Sequence, residues 1–226
     1  LLRRKLLKQR AMIFNVSEII SELDISIMTA EQKLFKNYVI PEVINENYLS
    51  IKNGRHPVLE LSNLTPISDF TSNNCEMNFG DIWLITGPNM AGKSTFLRQN
   101  ALIIILAQAG LFVPAEKATV GIFDKIFSRV GASDDLQKGQ STFMVEMLET
   151  ASILNRATEK SFIIFDEVGR GTSTYDGLSI AWAIIDYLLK KIRAKVLFAT
   201  HYHELTHLKD NSKNIKNFKM NIKEWE

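Results

Sequence analysis

The chain is expected to fold as an α/β domain: a mainly parallel sheet with helices on both faces. Three observations predict this. Apolar runs at 82–86, 162–165 and 196–199 are short, continuous and free of charge, as strands buried on both faces are. Helical stretches near 94–110, 142–157 and 176–192 alternate with them, which gives the strand–helix order of a parallel sheet. The first run also empties directly into Gly87-Pro88-Asn89-Met90-Ala91-Gly92-Lys93-Ser94, a glycine-rich loop of the pattern G-x-x-x-x-G-K-[ST].

The elements follow in order. Residues 1–40 contain neither Gly nor Pro. Ile13, Val16, Ile20, Leu23, Ile27, Ala30 and Leu34 fall alternately three and four apart, which draws one apolar seam along a single long helix. Roughly 35 helical residues extend about 50 Å, more rod than a globular domain uses. The segment therefore reads as an arm, ended by Asn37 and Pro41. We assign residues 1–44 to this arm and its connector, and 45–226 to the α/β domain. Tyr48-Leu49-Ser50-Ile51 reads as a strand, Asn53-Gly54 as a turn and Val58-Leu59-Glu60-Leu61 as a further strand. There is no internal repeat and no low-complexity tract.

Composition narrows the class. The chain has 226 residues, 46% of them hydrophobic, enough to fill a real core. A net charge of +2 with no basic run gives no general nucleic-acid surface by charge alone. The single cysteine, Cys75, cannot form an internal disulfide, which suits a reducing compartment. The longest apolar stretch, Ala101 to Val113, is interrupted by Gln108 and Gly110 and is too short to span a bilayer, so no membrane partner is expected. The chain opens on Leu1 rather than Met, so it is expected to be a piece of a longer protein.

The loop carries the chemistry. Gly87 and Gly92 let backbone N–H groups converge on phosphate oxygens, with Pro88, Asn89, Met90 and Ala91 between them. Lys93 adds a point charge for the β- and γ-phosphates, and the Ser94 hydroxyl holds Mg²⁺. Ser94 and Thr95 open a helix whose N-terminus favours an anion. These features predict a bound nucleoside triphosphate. The strand Phe162-Ile163-Ile164-Phe165 delivers Asp166 and Glu167 at its tip. Asp166 is expected to hold the metal ion through water. Glu167 faces the other way, placed to orient or deprotonate an attacking water. A module that only binds nucleotide has no need of that second carboxylate, which makes hydrolysis the favoured reading. Val196 to Thr200 delivers His201 at the same sheet edge, within reach of the γ-phosphate or the water.

Gly139-Gln140-Ser141-Thr142 opens the helix that starts Phe143-Met144-Val145-Glu146-Met147, a second place for an anion. One molecule has no obvious use for two such helix starts. Two molecules face to face do, each lending Ser141 to the other's γ-phosphate. His203-Glu204-Leu205-Thr206-His207 matches the H-E-x-x-H zinc pattern, but that chemistry requires a third ligand, for which Glu224 is the only nearby acid. A short helix capping the sheet is the favoured reading.

Taken together, Thr86 to Thr95, Ser141 to Met147, the run Asp166-Glu167-Val168-Gly169-Arg170-Gly171-Thr172-Ser173-Thr174-Tyr175-Asp176-Gly177 and Ala199-Thr200-His201-Tyr202 closely resemble the ATPase domain of the MutS family of DNA mismatch-repair proteins. The resemblance covers nearly all of 45–208. Asn89-Met90 and the Asp-Glu-x-Gly-Arg-Gly-Thr run separate it from transporter ATPases. Chromosome-structure and transporter relatives carry Leu-Ser-Gly-Gly-Gln where this chain has Lys138-Gly139-Gln140-Ser141-Thr142.

The resemblance implies a P-loop NTPase of the ABC-like class that binds and hydrolyses ATP, with ADP as product and Mg²⁺ as cofactor. It implies that turnover at a homodimer or heterodimer interface switches the protein between mismatch search and a sliding clamp on double-stranded DNA, with a MutL-type protein downstream. It also likens residues 1–40 to the end of the family's lever helix, and Phe70 to the aromatic that stacks on adenine. His203 departs from the aromatic that relatives often carry there. The mismatch-reading and clamp domains and the C-terminal helical dimerisation segment of the family are absent from these residues, so DNA binding and stable dimerisation are expected of a longer protein. A bacterial cytoplasmic or nucleoid-associated setting is implied, with an organellar one left open.

Overall fold

The computed structural model describes residues 2–61, 71–88, 91–130 and 142–221. The chain begins with helices α1 (Leu2–Lys8) and α2 (Arg10–Lys36). The expected single rod is thus interrupted at Gln9. Asn37, in the left-handed region at φ 52°, ends α2 as foreseen. None of α2 is buried, and its seam stands open: Ile20, Leu23 and Leu34 are 59%, 58% and 72% exposed.

Two sheets follow. Strands β1 (Glu42–Ile44), β2 (Leu49–Gly54), β3 (Asn73–Met77), β4 (Ile82–Thr86), β5 (Lys117–Gly121), β6 (Ile126–Arg129), β7 (Phe162–Asp166), β8 (Lys195–Ala199) and β9 (Ile215–Lys219) are joined by helices α3 (Lys93–Gln108), α4 (Thr142–Arg156) and α5 (Thr174–Tyr187). The smaller sheet has the order β1-β5-β2-β3, with β1 parallel to β5 and the other pairs antiparallel. The larger sheet, β6-β7-β8-β4-β9, is parallel throughout.

Strand alternation divides the core. Trp83, Ile85, Phe162, Ile164 and Leu197 face α3 and the small sheet, packing with Leu97, Ile104, Leu49 and Val120. Ile82, Leu84, Ile163, Phe165 and Phe198 face the other way, against Ile153 of α4 and Ala181 and Ile185 of α5. Every residue of β4, β7 and β8 is buried, as sequences apolar on both faces require. Helices therefore lie on both faces of a mainly parallel sheet.

Two expectations in the early part of the domain fail. The chain does not turn at Asn53-Gly54. β2 runs through both residues, accommodating Asn53 at φ 49° beside an irregularity in the pairing between Ile51 and Gly54. Val58–Leu61 is not a strand either, because Leu59–Leu61 forms a 3₁₀ turn. Pro57 sets a turn-compatible φ, the Glu60 N–H bonds to His56 O at 3.1 Å, and the Glu60 carboxylate pairs with Arg55. Local polar partners there outweigh the strand-like composition. The helix expected to reach residue 192 ends at Tyr187 and continues as a π turn over Leu188–Ile192, closed by Arg193 at φ 60°.

A lysine lies in the core. Lys195, at the start of β8, is fully buried, hydrogen-bonds to Asn47 and points over the Phe123 ring at 5.4 Å. Burial pushes its pKa down from 10.5 to about 8, while the negative Asp81 pulls the other way. The folded state therefore binds fewer protons than the unfolded one between those values, and stability gains as pH rises through that window. Against a Lys195→Met variant, in which Tyr38 and Cys75 titrate as before, the protein is expected to gain thermal stability from about pH 8 towards pH 10. Parallel melting curves for the two proteins would show that lysine titration has no part in it.

Candidate functional site

Because all five strands of the large sheet run the same way, their C-terminal ends share one edge. Onto it emerge Arg129 and Val130 from β6, Asp166 and Glu167 from β7, Thr200 and His201 from β8, and Gly87 and Pro88 from β4. Met220, just past β9, bonds back to Thr86 O at 2.9 Å and lies against Gly87. A Cβ on Gly87, which sits at φ 144°, would come within 3.0 Å of Met220 O. Only glycine lets the chain pass there. Gly92, at φ 88°, starts α3. Asn89 and Met90 lie outside the described residues, as do Phe70, Ser141 and Glu224.

Lys93 is 4% exposed, and its ammonium group donates to Gly87 O at 2.8 Å and Pro88 O at 3.0 Å. The lysine thus lies curled over its own loop, 3.9 Å from Glu167 Oε1. Ser94, at the start of α3, lines a cavity of about 430 Å³ with Asp166, Glu167 and Thr142, while Thr95 is half-buried next to it. Asp166 is buried, and its Oδ1 has no hydrogen-bond partner among the described residues. An orphaned carboxylate oxygen is costly unless something electropositive meets it. A hard divalent cation held by that carboxylate and the Ser94 hydroxyl fits the donor set.

Glu167 is the most constrained residue of the site. It sits at φ 58°, unusual for a residue with a side chain, and its N–H bonds to Ala199 O at 3.0 Å. Its carboxylate pairs with His201 Nε2 through Oε1 and with Arg170 through Oε2. It divides two cavities. One is the cavity above, also lined by Arg98, Arg129, Glu146 and Arg170. The other, of about 320 Å³, is lined by Thr172, Thr174, Thr200, His201 and Tyr202. The first thus balances carboxylates against three guanidinium groups, an environment able to take a polyanion together with a cation.

The structure therefore brings Lys93, Ser94, Asp166, Glu167 and His201 together. Residue-by-residue reading missed Arg98, Arg129 and Glu146. Arg129 offered one signal, a lone charge at the C-terminal tip of a parallel strand. Glu146 lay within the stretch Ser141 to Met147 that carries the resemblance, but nothing in its spacing assigned it a partner. The H-E-x-x-H residues occupy a 3₁₀ helix, His203–Asn211. With three residues per turn, positions four apart are about 120° around the axis rather than on one face. No group of three or more potential metal-binding His, Cys, Asp or Glu residues occurs among the described residues. Nor is any described helix long and apolar enough to cross a membrane.

The chain is thus an α/β protein with a parallel sheet that gathers Lys93, Asp166 and Glu167 at one edge. Comparison with known proteins is more specific. The family model for MutS domain V matches residues 83–226. The DNA mismatch repair protein MutS of Thermodesulfovibrio yellowstonii is 56% identical over 94% of this chain, that of Clostridium kluyveri 53% over 99%, and that of Cereibacter sphaeroides 50% over all of it. The chain belongs to the MutS family. It spans about a quarter of the length of these relatives, 26% in each case.

Proposed function

We propose that the chain is the ATP-binding and hydrolysing domain of a MutS-type mismatch-repair protein, a P-loop NTPase of the ABC-like class dependent on Mg²⁺. The observation that carries this reading is that a buried Lys93 and a buried Asp166 oxygen without a hydrogen-bond donor stand at the same sheet edge. A loop of N–H groups and a lysine suits the phosphates. A carboxylate beside a serine hydroxyl suits their metal.

In this reading the backbone of Gly87 to Gly92 cradles the phosphates, and Lys93 leaves the Gly87 and Pro88 carbonyls to pair with them. Ser94 directly and Asp166 through water would hold the metal, which would supply charge neutralisation on the phosphate oxygens. Glu167 orients a water and accepts its proton, and His201 fixes the Glu167 carboxylate from behind. Phe70 stacks on adenine. Ser141, at the start of α4, serves the site of a second subunit, so that hydrolysis depends on a homodimer or heterodimer. Residues 1–44 carry the end of a lever helix and its connector. Through them, turnover switches the protein between mismatch search and a sliding clamp on DNA, upstream of a MutL-type partner. The setting is the bacterial cytoplasm or nucleoid, or an organelle.

The test is stabilisation by ligand. A ligand at about 100 times its dissociation constant stabilises the folded state by about 2.7 kcal/mol. ATP with Mg²⁺ is expected to raise the melting temperature by several degrees, and EDTA to reduce that gain. A melting temperature indifferent to ATP and Mg²⁺ overturns the reading.

A further inference from the structure

The turn that follows Glu167 is held by an unusual joint. Gly169, at φ 88°, has both backbone groups satisfied by side chains from separate elements. Its N–H donates to Glu146 Oε1 at 2.5 Å, and its carbonyl accepts from the Tyr202 hydroxyl at 2.9 Å. Neither partner is near in sequence. Glu146 comes from α4, and Tyr202 from just past β8.

The joint is also sterically closed. A Cβ on Gly169 would lie 2.7 Å from Gly177 O, and one on Gly177 would lie 2.1 Å from the Tyr202 hydroxyl. A Cβ on Gly171 would stand 3.1 Å from Phe143 Cβ, in the first turn of α4. The turn is thus wedged against α4 on one side and α5 on the other, with little slack to absorb a shift of either.

Glu146 is itself anchored. It is 5% exposed, and its second oxygen lies 3.9 Å from Arg129, which also pairs with Glu149 at 3.0 Å. A buried carboxylate facing a guanidinium and a peptide N–H has its charge compensated in place. It lines the cavity with Asp166 and Ser94 but serves the turn next to it.

We propose that Glu146 is a positioning residue: through the Gly169 peptide it fixes the strained Glu167 two residues upstream and ties that carboxylate to the position of helix α4. The inference rests on the reading of Glu167 as the water-orienting group. Its consequence is that any movement of α4, such as one imposed at its start by a second subunit, is transmitted to Glu167 without contact with the nucleotide.

The test uses Glu146→Ala, Glu146→Gln and Tyr202→Phe in the intact protein. Amide exchange at Gly169, affinity for a fluorescent ATP analogue, kcat and KM are measured for each. Glu146→Ala is expected to speed exchange at Gly169 and to lower kcat by about 10- to 100-fold, the scale of a displacement of about 1 Å, with KM and analogue affinity within about threefold. Glu146→Gln keeps an acceptor oxygen and is expected to stay within about threefold of the parent kcat. Tyr202→Phe removes the other bond and is expected to cost about fivefold in kcat, roughly one hydrogen bond's worth. It carries the test should Glu146→Ala not fold. Equal loss in Glu146→Gln and Glu146→Ala, or a parent kcat in Tyr202→Phe, overturns the joint. So does a parent kcat in Glu146→Ala while Glu167→Ala is slow; a parent rate in Glu167→Ala itself overturns the reading beneath it.

Discussion

Lys93→Ala is expected to abolish tight nucleotide binding. The ammonium group is buried, and in the structure it is satisfied by two carbonyls of its own loop, Gly87 O and Pro88 O. Those bonds are easily exchanged for phosphate oxygens, which carry full charge and make stronger partners. Losing a charge-assisted contact of this kind costs about 2–4 kcal/mol, or roughly 30- to 700-fold in affinity. Titration with a fluorescent ATP analogue reads the effect directly. The melting temperature without nucleotide serves as control, since alanine also leaves the two carbonyls without their donor. An unchanged affinity in a folded variant removes the phosphate-loop assignment.

Glu167→Ala is expected to separate binding from chemistry. The carboxylate lies at the junction of two cavities, gripped by His201 and Arg170 and 3.9 Å from Lys93. It is not placed to complete the phosphate cradle, so analogue affinity and Mg²⁺ dependence should persist. Hydrolysis should fall by on the order of 10²-fold or more, the usual effect of removing a general base. A protein that hydrolyses ATP at the parent rate without this carboxylate would make Glu167 structural, a clamp for Arg170 and His201. ATP would then act as a ligand that joins or regulates subunits.

Much of this arrangement was legible in the chain. Apolar runs of only four or five residues, too short for a helix, suit strands buried on both faces, which is why β4, β7 and β8 were found within a residue of their ends. The loop 87–94 and the pair Asp166-Glu167 were visible because their chemistry depends on neighbours in sequence. The failures share a cause. At 58–61 a strand-like run of four residues was overruled by Pro57 and by the Arg55–Glu60 pair, and at 53–54 a turn-like dipeptide was carried through a strand by its sheet partners. Short signals lose to neighbouring side chains or to sheet partners because each is worth only a fraction of a kcal/mol.

By itself, then, the sequence determined the parallel α/β framework, the loop that leaves β4 and the residue types waiting at the strand tips, since these follow from periodicity and local spacing. Only the tertiary structure decided what surrounds them. Glu146 is 23 residues from Gly169 and Tyr202 is 33 residues away on the other side, and both bonds form only once β6, β7 and β8 stand side by side. The curled Lys93, the orphaned Asp166 oxygen and the positive φ of Glu167 belong to the same category. Each depends on which groups close packing brings together and which it shuts away from water, and no spacing along the chain encodes that.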